Sequence, residues 1–299
     1  MKGLYCAVLF LSPMLWSAPA LAADAVPLKV IHQLPVVSVC INGQGPYDFL
    51  LDTGTESTLV DQRLAEELQL NIVDRLQLIS ANGMHPVGRA IAESVTLGPK
   101  TVNGVELLVD DLRELHAVAP QLHGILGENF LSQFNFLLDY RHHQVEFGPP
   151  PEEGAGVRIS FIIQDGHILL AAVTSGNEQL RFELDSGASN IVLFGTQSRA
   201  AMAPAASAFL HNNQGSTAVQ QVRIPELRIG PVMLHDLPAG LMESLGEEDA
   251  GVDGLLPTNL FDSVYFDFAG QSIFVTGKKI TPALSETGFA GRQSSGGYY

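Results

Sequence analysis

Several kinds of residue are scarce in this chain of 299 residues, and each scarcity excludes a structural feature or a class of partner. Only two cysteines occur, and because Cys6 lies in a leader-like segment, we expect no disulfide within the mature chain. Basic residues number 16 against 32 acidic ones, which gives a net charge of −16. No basic stripe is present to neutralise phosphates, so the sequence argues against nucleic acid as a partner. The other cysteine, Cys40, stands in an alternating run and is expected to be a small buried residue.

The motifs of metal and nucleotide sites are also missing. The nine histidines show no H-E-x-x-H spacing, and neither paired C-x-x-C motifs nor a calcium loop occurs. We therefore expect no metal and no other cofactor. G-x-S-x-G and G-x-x-x-x-G-K-[ST] are absent as well, which removes the usual signals of a serine hydrolase and of a nucleotide-binding protein.

Residues 1–22 have the pattern of an export signal. Lys2 supplies a positive start, residues 4–16 are mostly apolar, and Ala20-Leu21-Ala22 fits a small-x-small cleavage site. The alternative is an uncleaved membrane anchor, but the apolar stretch is shorter than the roughly 20 residues that a spanning helix needs, and Pro13 interrupts it. We expect cleavage after Ala22 and an exported protein, periplasmic or secreted, with no membrane span and a net charge of −17 once Lys2 is lost.

Turn-forming residues divide the rest of the chain into two halves of similar length. Residues 149–156 (PPPEEGAG) are predicted to be a linker between a lobe at 25–148 and a lobe at 157–277. Both halves consist of short alternating or β-branched runs separated by Gly, Asn and Pro, which is typical of all-β domains. Short helices are expected at 61–70, 128–134 and 258–263, and residues 278–299, rich in Ser, Gly and Thr, are expected to be a flexible tail.

One short segment occurs twice. FLLDTGTESTLV contains Asp52-Thr53-Gly54 and FELDSGASNIVLF contains Asp185-Ser186-Gly187, each after an apolar run. A single triplet would be interpreted as a polar turn after a strand. Matching segments follow both copies at nearly the same spacing, however: Ile125 in GILGEN follows the first copy, and Leu255 in GLLPTN follows the second. We interpret the chain as an internal duplication of one lobe.

Two copies of the triplet suggest a chemistry that needs two carboxyl groups. Carboxyl groups about 3 Å apart cannot both ionise, so they share a proton. One of them can take a proton from water while the other donates a proton to an amide carbonyl oxygen. We expect Asp52 and Asp185 to form this catalytic pair. Hydroxyl residues can bond across to the other lobe and glycines let backbone N–H groups approach, so four residues are expected to support the two loops: Thr53, Gly54, Ser186 and Gly187.

These paired triplets and their downstream segments resemble the aspartic peptidases of the retropepsin and pepsin kind, over roughly residues 28–277. The resemblance implies an all-β acid protease fold, with two retropepsin-like β-barrel lobes related by a pseudo-twofold axis and few short helices. It implies an aspartic endopeptidase that acts as a monomer on peptide or protein substrates, and exported bacterial members are the nearest picture. Gly127 fits the family pattern, whereas Pro257 stands where a glycine is usual, which leaves the support of the second loop in question.

That family also closes a β-hairpin flap over its substrate. Residues 79–98 have the position and composition of such a flap, with Asn82-Gly83 as its tip, although a plain surface hairpin explains them equally well. Residues 209–224 offer a similar hairpin in the second lobe, with a turn at 213–216. The candidate substrate contacts are Asn82, Gly83, Met84 and His85.

The residue after each triplet bears on the pH dependence. In the family it often hydrogen-bonds the catalytic carboxylate, and here it is Thr55 in one copy and Ala188 in the other. The loss of one donor raises the upper pKa of the pair, so we expect an optimum of about pH 4–7 and not one near pH 2.

Two other functions are compatible with paired carboxylates. One is a catalytically inactive module that binds peptides or proteins on the same scaffold. Pro257 and the unusual flap, which lacks the tyrosines of pepsin flaps, favour this alternative, and two intact triplets argue against it. The other is a glycoside hydrolase, which needs carboxyl groups at least about 5 Å apart and an aromatic-rich groove. The single tryptophan, Trp16, lies in the expected signal.

Overall fold

A computed structural model describes residues 25–80, 83–151, 156–164, 166–174, 178–195, 203–212, 215–242, 251–277 and 281–282. The predicted signal, part of the predicted linker and most of the predicted tail lie outside these ranges, so those three assignments stay predictions. Within the described ranges the chain is mostly β-strand, as the sequence predicts. None of the helices in these ranges is long and apolar enough to cross a membrane.

The first lobe is one eight-stranded sheet. Its strands are β2 (Lys29–Ile31), β3 (Leu34–Ile41), β4 (Gln44–Leu51), β5 (Thr58–Asp61), β6 (Ile72–Ser80), β7 (Gly83–Leu97), β8 (Lys100–Asp110) and β9 (Gly124–Leu126). In space they follow the order β2-β3-β4-β9-β5-β8-β7-β6, and β3 also pairs with β7, which closes the sheet into a barrel. The β4–β9 and β5–β8 pairs are parallel, and the other pairs are antiparallel.

The second lobe repeats this arrangement strand for strand. Its strands are β13 (Ile162–Gln164), β14 (His167–Thr174), β15 (Gln179–Asp185), β16 (Ile191–Phe194), β17 (Ala203–Asn212), β18 (Gly215–Ile229), β19 (Val232–Met242) and β20 (Gly254–Pro257). They follow the order β13-β14-β15-β20-β16-β19-β18-β17, and β14 pairs with β18 as β3 does with β7. A two-residue strand, β23 (Thr281–Pro282), adds to β19 from within the predicted tail.

Strand register makes the two lobes comparable residue by residue. Leu50 and Glu183 occupy equivalent positions, because each lies two residues before the aspartate of its lobe. Leu50 lies opposite Val36, and Glu183 lies opposite Leu169 on the corresponding strand. Across the parallel pairs, Leu50 faces Ile125 and Glu183 faces Leu255, so the downstream segments also correspond. The duplication inferred from the sequence is therefore present in the fold.

A third sheet joins the lobes. It contains β1 (Ala25–Pro27), β10 (Phe136–Asp139), β11 (Gln144–Phe147), β12 (Val157–Ser160), β21 (Ser263–Asp267) and β22 (Ser272–Thr276). The order β1-β11-β10-β21-β22-β12 sets one strand of each lobe side by side at the centre. Phe136 lies opposite Phe266 there, and their stacked rings have centroids 4.8 Å apart. Both rings are fully buried in a core that runs through the two lobes.

The helices are short. They are α1 (Gln62–Glu67), α2 (Arg113–Val118), α3 (Glu128–Leu131) and a 3-10 helix at Thr258–Leu260. Three of them lie in predicted segments, and α1 ends before the predicted residue 70 because the chain turns to a positive φ of 54° at Gln69. No sequence pattern indicated α2, since the residue that precedes it, Leu112, makes no side-chain cap. Cys40, expected to be buried, is only half-buried.

Candidate active site

Both triplets lie at the ends of buried strands that meet between the lobes. Phe49 and Leu51 are completely buried in β4, and the chain leaves the barrel at Asp52, whose N–H donates to the Leu126 carbonyl oxygen at 3.0 Å. In the second lobe, β15 runs through buried Phe182 and ends at Asp185. Apolar residues in these strands thus fix where each aspartate emerges.

The hydroxyl residues of the triplets bind the two loops to each other. Thr53 Oγ1 donates to the Leu184 carbonyl oxygen at 2.8 Å, and Ser186 Oγ donates to the Leu51 carbonyl oxygen at 2.7 Å. Each hydroxyl also accepts from the other's backbone: Thr53 N–H donates to Ser186 Oγ at 3.0 Å, and Ser186 N–H donates to Thr53 Oγ1 at 3.1 Å. Thr53 and Ser186 are buried, so these four bonds are shielded from water.

Backbone and hydroxyl donors hold each carboxyl group within its own loop. Asp52 accepts from the Gly54 N–H and from Thr55 Oγ1, both at 2.9 Å. Asp185 accepts from the Gly187 N–H at 2.7 Å and from the Ala188 N–H at 3.1 Å. The first carboxyl group therefore has a hydroxyl donor that the second lacks.

Each glycine of the triplets faces the carboxyl group of the opposite lobe. A Cβ atom added at Gly54 would lie 2.7 Å from Asp185 Cγ, and one added at Gly187 would lie 2.5 Å from Asp52 Cγ. No side chain fits at these distances, so glycine is required by the close approach of the loops. Each carboxyl group therefore lies against the loop that carries the other.

Burial and mutual repulsion keep a proton on this pair. Asp52 is 8% exposed and Asp185 is 9% exposed. Burial raises the pKa of both, while the Gly54 and Thr55 donors act in the opposite sense on Asp52. The pKa of Asp185 lies well above its ordinary value because of burial, then the charge of Asp52, then that of Glu183. The asymmetry favours a protonated Asp185 beside an ionised Asp52.

The segment behind the first loop supports it through hydrogen bonds, and its counterpart in the second lobe is different. Gly127 N–H donates to Thr58 Oγ1 at 3.2 Å, and that hydroxyl donates to Asn129 Oδ1 at 2.7 Å. In the second lobe the counterparts of Gly127 and Thr58 are Pro257 and Ile191. The second lobe lacks both the backbone N–H donor and the hydroxyl acceptor of this bond, so Pro257 leaves no polar group without its partner here.

The hairpin predicted as a flap is formed by β6 and β7. Its expected tip residue Asn82 lies outside the described residues, and of Gly83 only the backbone is described. Met84 is 69% exposed. His85 Nε2 lies 2.9 Å from Asp110 Oδ2 on β8, so this histidine has a partner within its own lobe. The triplet residues are brought together, whereas substrate contact by the four hairpin residues stays a prediction.

Four residues beside the aspartate pair were not expected from the sequence. His167 Nδ1 lies 2.7 Å from Glu183 Oε1, and His167 Nε2 lies 3.6 Å from Glu56 Oε1 in the other lobe. Burial raises the pKa of Glu128 to about 8, with smaller contributions from Asp52 and Glu183. One sequence signal pointed here: the second approach reads FELD where the first reads FLLD, which sets Glu183 in an otherwise apolar strand.

Within the described residues, no group of three or more His, Cys, Asp or Glu side chains is arranged to hold a metal ion. The chemistry these residues offer is that of the aspartate pair itself. It can hold one proton, donate it, and take another from water.

The fold and the site together define a two-lobed acid protease architecture. A family model described as "Aspartyl protease" matches residues 37–130 and 171–260, one segment in each lobe. The matched segments cover more than half of the chain and contain both triplets, and the chain belongs to this aspartyl protease family. A solved structure described as "Crystal structure of edgp" aligns with 87% of this chain and 96% of its own, at a TM-score of 0.50 and 11% identity, which shows a shared fold. No curated protein matches the sequence.

Proposed function

We propose that the protein is an aspartic endopeptidase that hydrolyses peptide bonds. The observation that carries this proposal is the pair of buried carboxyl groups, Asp52 and Asp185, one from each lobe and each packed against the triplet glycine of the other lobe. Burial and repulsion favour one proton on the pair, which is the protonation state that acid–base hydrolysis needs. A single chain supplies both groups, so the proposal includes activity as a monomer.

The proposed reaction uses the asymmetry of the pair. Ionised Asp52, stabilised by Thr55 and Gly54, takes a proton from a water molecule bound between the carboxyl groups. The water oxygen attacks the carbonyl carbon of the peptide, while Asp185 donates its proton to the carbonyl oxygen. The tetrahedral diol then collapses: the amide nitrogen takes the proton from Asp52, the C–N bond breaks, and one diol hydroxyl returns its proton to Asp185 as the new carboxyl group forms. No covalent intermediate with the enzyme is formed.

The substrates that the proposal implies are peptides or unfolded segments of proteins. Because Glu56 stands in the same loop as Asp52, the local charge disfavours acidic side chains next to the scissile bond. We also propose export, on the signal-like pattern of residues 1–22, so that the substrates are extracytoplasmic.

The rival functions are less well supported. Each carboxyl group packs against the triplet glycine of the other loop, which is a closer arrangement than the separation of at least about 5 Å that a glycoside hydrolase requires. The argument for an inactive module rested on Pro257 and on the unusual flap, and the paired change to Ile191 weakens the first of these grounds. An inactive peptide-binding module remains the alternative that the experiment must distinguish.

The test is hydrolysis of a mixed peptide library by the purified protein, followed by mass spectrometry. We compare the wild type with Asp52→Asn, Asp185→Asn and the matched control Asp236→Asn, which alters an exposed aspartate paired with Arg223. We expect cleavage by the wild type and the control, and a loss of at least about a hundredfold in both triplet variants.

The results separate the alternatives. Cleavage that survives in both Asp52→Asn and Asp185→Asn would refute the proposed pair. Peptide binding without cleavage by the wild type, across pH 3–9, would instead support the binding module.

A further inference from the structure

Charged residues gather on one side of the aspartate pair and bridge the two lobes. We call Glu56, Glu128, His167 and Glu183 the Glu–His cluster. Glu183 is buried on β15, close before Asp185 in the chain, and its Oε1 lies 2.7 Å from His167 Nδ1. The same imidazole lies 3.6 Å from exposed Glu56 in the first catalytic loop. The cluster thus links the interior of the second lobe to the loop that carries Asp52.

The pseudo-twofold axis supplies an internal comparison for these positions. Strand register assigns each cluster residue a counterpart on the opposite side of the pair. None of the counterparts is charged: Leu34 matches His167, Leu50 matches Glu183, Ser189 matches Glu56, and Thr258 matches Glu128. Leu50 packs in an apolar cluster with Val36 and Ile125. The fold is therefore built on the other side without any of these charges, so the cluster is not a requirement of the architecture.

The two buried glutamates of the cluster differ in their hydrogen bonds. Glu128 is 6% exposed, and its Oε1 has no hydrogen-bond partner. A buried carboxylate oxygen without a donor is unfavourable, so this environment favours the protonated form of Glu128. Burial also raises the pKa of Glu183, but the hydrogen bond and the charge of His167 oppose that rise. The 2.7 Å contact with His167 Nδ1 is thus the interaction that lets Glu183 carry a negative charge inside the lobe, and Glu128 Oε1 has no such contact.

We propose that Glu183, held ionised by His167, is a positioning residue that keeps the shared proton on the Asp52–Asp185 pair toward neutral pH. A negative charge close to the pair opposes the loss of its last proton. The charged groups that act on Glu183 are His167, Asp52 and Glu56, and Glu183 in turn acts on Asp185 and Glu128. The inference rests on the proposed peptidase activity. It predicts that the enzyme stays active at a higher pH than it would if Glu183 carried no charge.

The test is the pH dependence of kcat/KM for one cleaved peptide from pH 3 to pH 9. Glu183→Gln keeps the shape of the side chain and a hydrogen bond to His167 but removes the negative charge. His167→Asn keeps a donor toward Glu183 and removes the positive charge, so Glu183 takes up a proton and its charge is lost as well. The matched control is Glu226→Gln, which removes a glutamate of the same lobe from a solvent-exposed pair with His235.

We expect the alkaline limb of the profile to move to lower pH by about one unit in Glu183→Gln, since one negative charge is removed within a buried site. In His167→Asn the limb should move in the same direction by less, because a positive charge is lost together with the negative one. At pH 7 the shift in Glu183→Gln appears as a loss of about tenfold in kcat/KM, with a change of less than about threefold on the acid side of the optimum. The control is expected to keep the wild-type profile. Circular dichroism verifies that each variant is folded.

An alkaline limb that stays in place in folded Glu183→Gln, or that moves equally in the control, would overturn the proposal. Loss of the fold in both cluster variants would overturn it too, because the ion pair would then serve structure. If the wild type cleaves no peptide at any pH, the peptidase proposal itself fails, and this outcome differs from an unshifted profile in an active enzyme.

Discussion

Replacement of Glu128 by glutamine should make the protein more stable at pH 8 than the wild type. Glu128 begins α3, directly after the Ile125-Leu126-Gly127 segment that supports the first catalytic loop. Its carboxyl group is buried, and one oxygen has no hydrogen-bond partner. Burial raises its pKa from an ordinary value of 4.5 to about 8, with Asp52 and Glu183 adding to the rise.

The sign and size of the effect follow from proton linkage. Below pH 4.5 the group is neutral in both the folded and the unfolded chain, so it has no cost. Between pH 4.5 and about pH 8 the unfolded chain ionises while the folded chain keeps its proton, so stability falls as the pH rises. At roughly 1.4 kcal/mol for each pH unit, a rise from 4.5 to about 8 corresponds to a loss of about 5 kcal/mol. Glutamine is neutral at every pH and avoids this loss.

Urea denaturation of the wild type and Glu128→Gln at pH 4.5, 6 and 8 measures the difference. We expect the two free energies of unfolding to be similar within about 1 kcal/mol at pH 4.5. At pH 8 the variant should be more stable by roughly 3–5 kcal/mol. Glu226→Gln, at an exposed position, is the control and should show no such dependence on pH.

The reasoning is wrong if Glu128→Gln loses stability equally at all three pH values. That pattern would mean that the carboxyl group is ionised and paired in the folded protein. A gain in the free energy of unfolding that is already complete at pH 4.5 would also contradict the reasoning, because it would not depend on the ionisation of Glu128 in the unfolded chain.

Three further substitutions test the geometry of the site. Gly187→Ala should lower kcat/KM by at least about a hundredfold with the fold intact by circular dichroism, because the new Cβ would lie 2.5 Å from Asp52 Cγ; wild-type activity would contradict the close approach. Ser186→Ala removes two buried bonds between the lobes and should cost about 2–4 kcal/mol in urea denaturation, and a loss below about 0.5 kcal/mol would show that they are unimportant. Pro257→Gly should fail to raise kcat/KM and should destabilise the protein by about 1 kcal/mol, because the new backbone N–H finds no acceptor at Ile191. Adding Ile191→Thr to this variant should restore the stability. A gain of stability or of kcat/KM in Pro257→Gly alone would contradict the pairing of these positions.

Local repetition explains which parts of the site were predictable. Asp52 and Asp185 each stand in a short segment whose residue types alone specify a strand that ends in a tight loop, and the duplication shows that the two loops are equivalent. The matched downstream segments predicted a second pair of equivalent elements, and Leu50 opposite Ile125 and Glu183 opposite Leu255 show that equivalence in the fold. Two-lobed all-β architecture followed from the same repetition.

Contacts between distant segments explain what was missed. His167 meets Glu56, which is far away in the chain and in another lobe, and no local pattern encodes that contact. Pro257 looked like a defect because its partner position, Ile191, lies far away in the sequence and had changed with it. Only Glu183 left a local trace, as a charge within an apolar strand.

Peptide hydrolysis by the wild type and by Asp185→Asn, followed from pH 3 to pH 9 on one substrate, tests the central claim most directly. If two carboxyl groups share the proton that drives hydrolysis, the wild-type profile is bell-shaped with a maximum at about pH 4–7, and Asp185→Asn is inactive throughout. A wild-type rate that keeps rising to pH 9, or cleavage by Asp185→Asn at a comparable rate, would contradict the account.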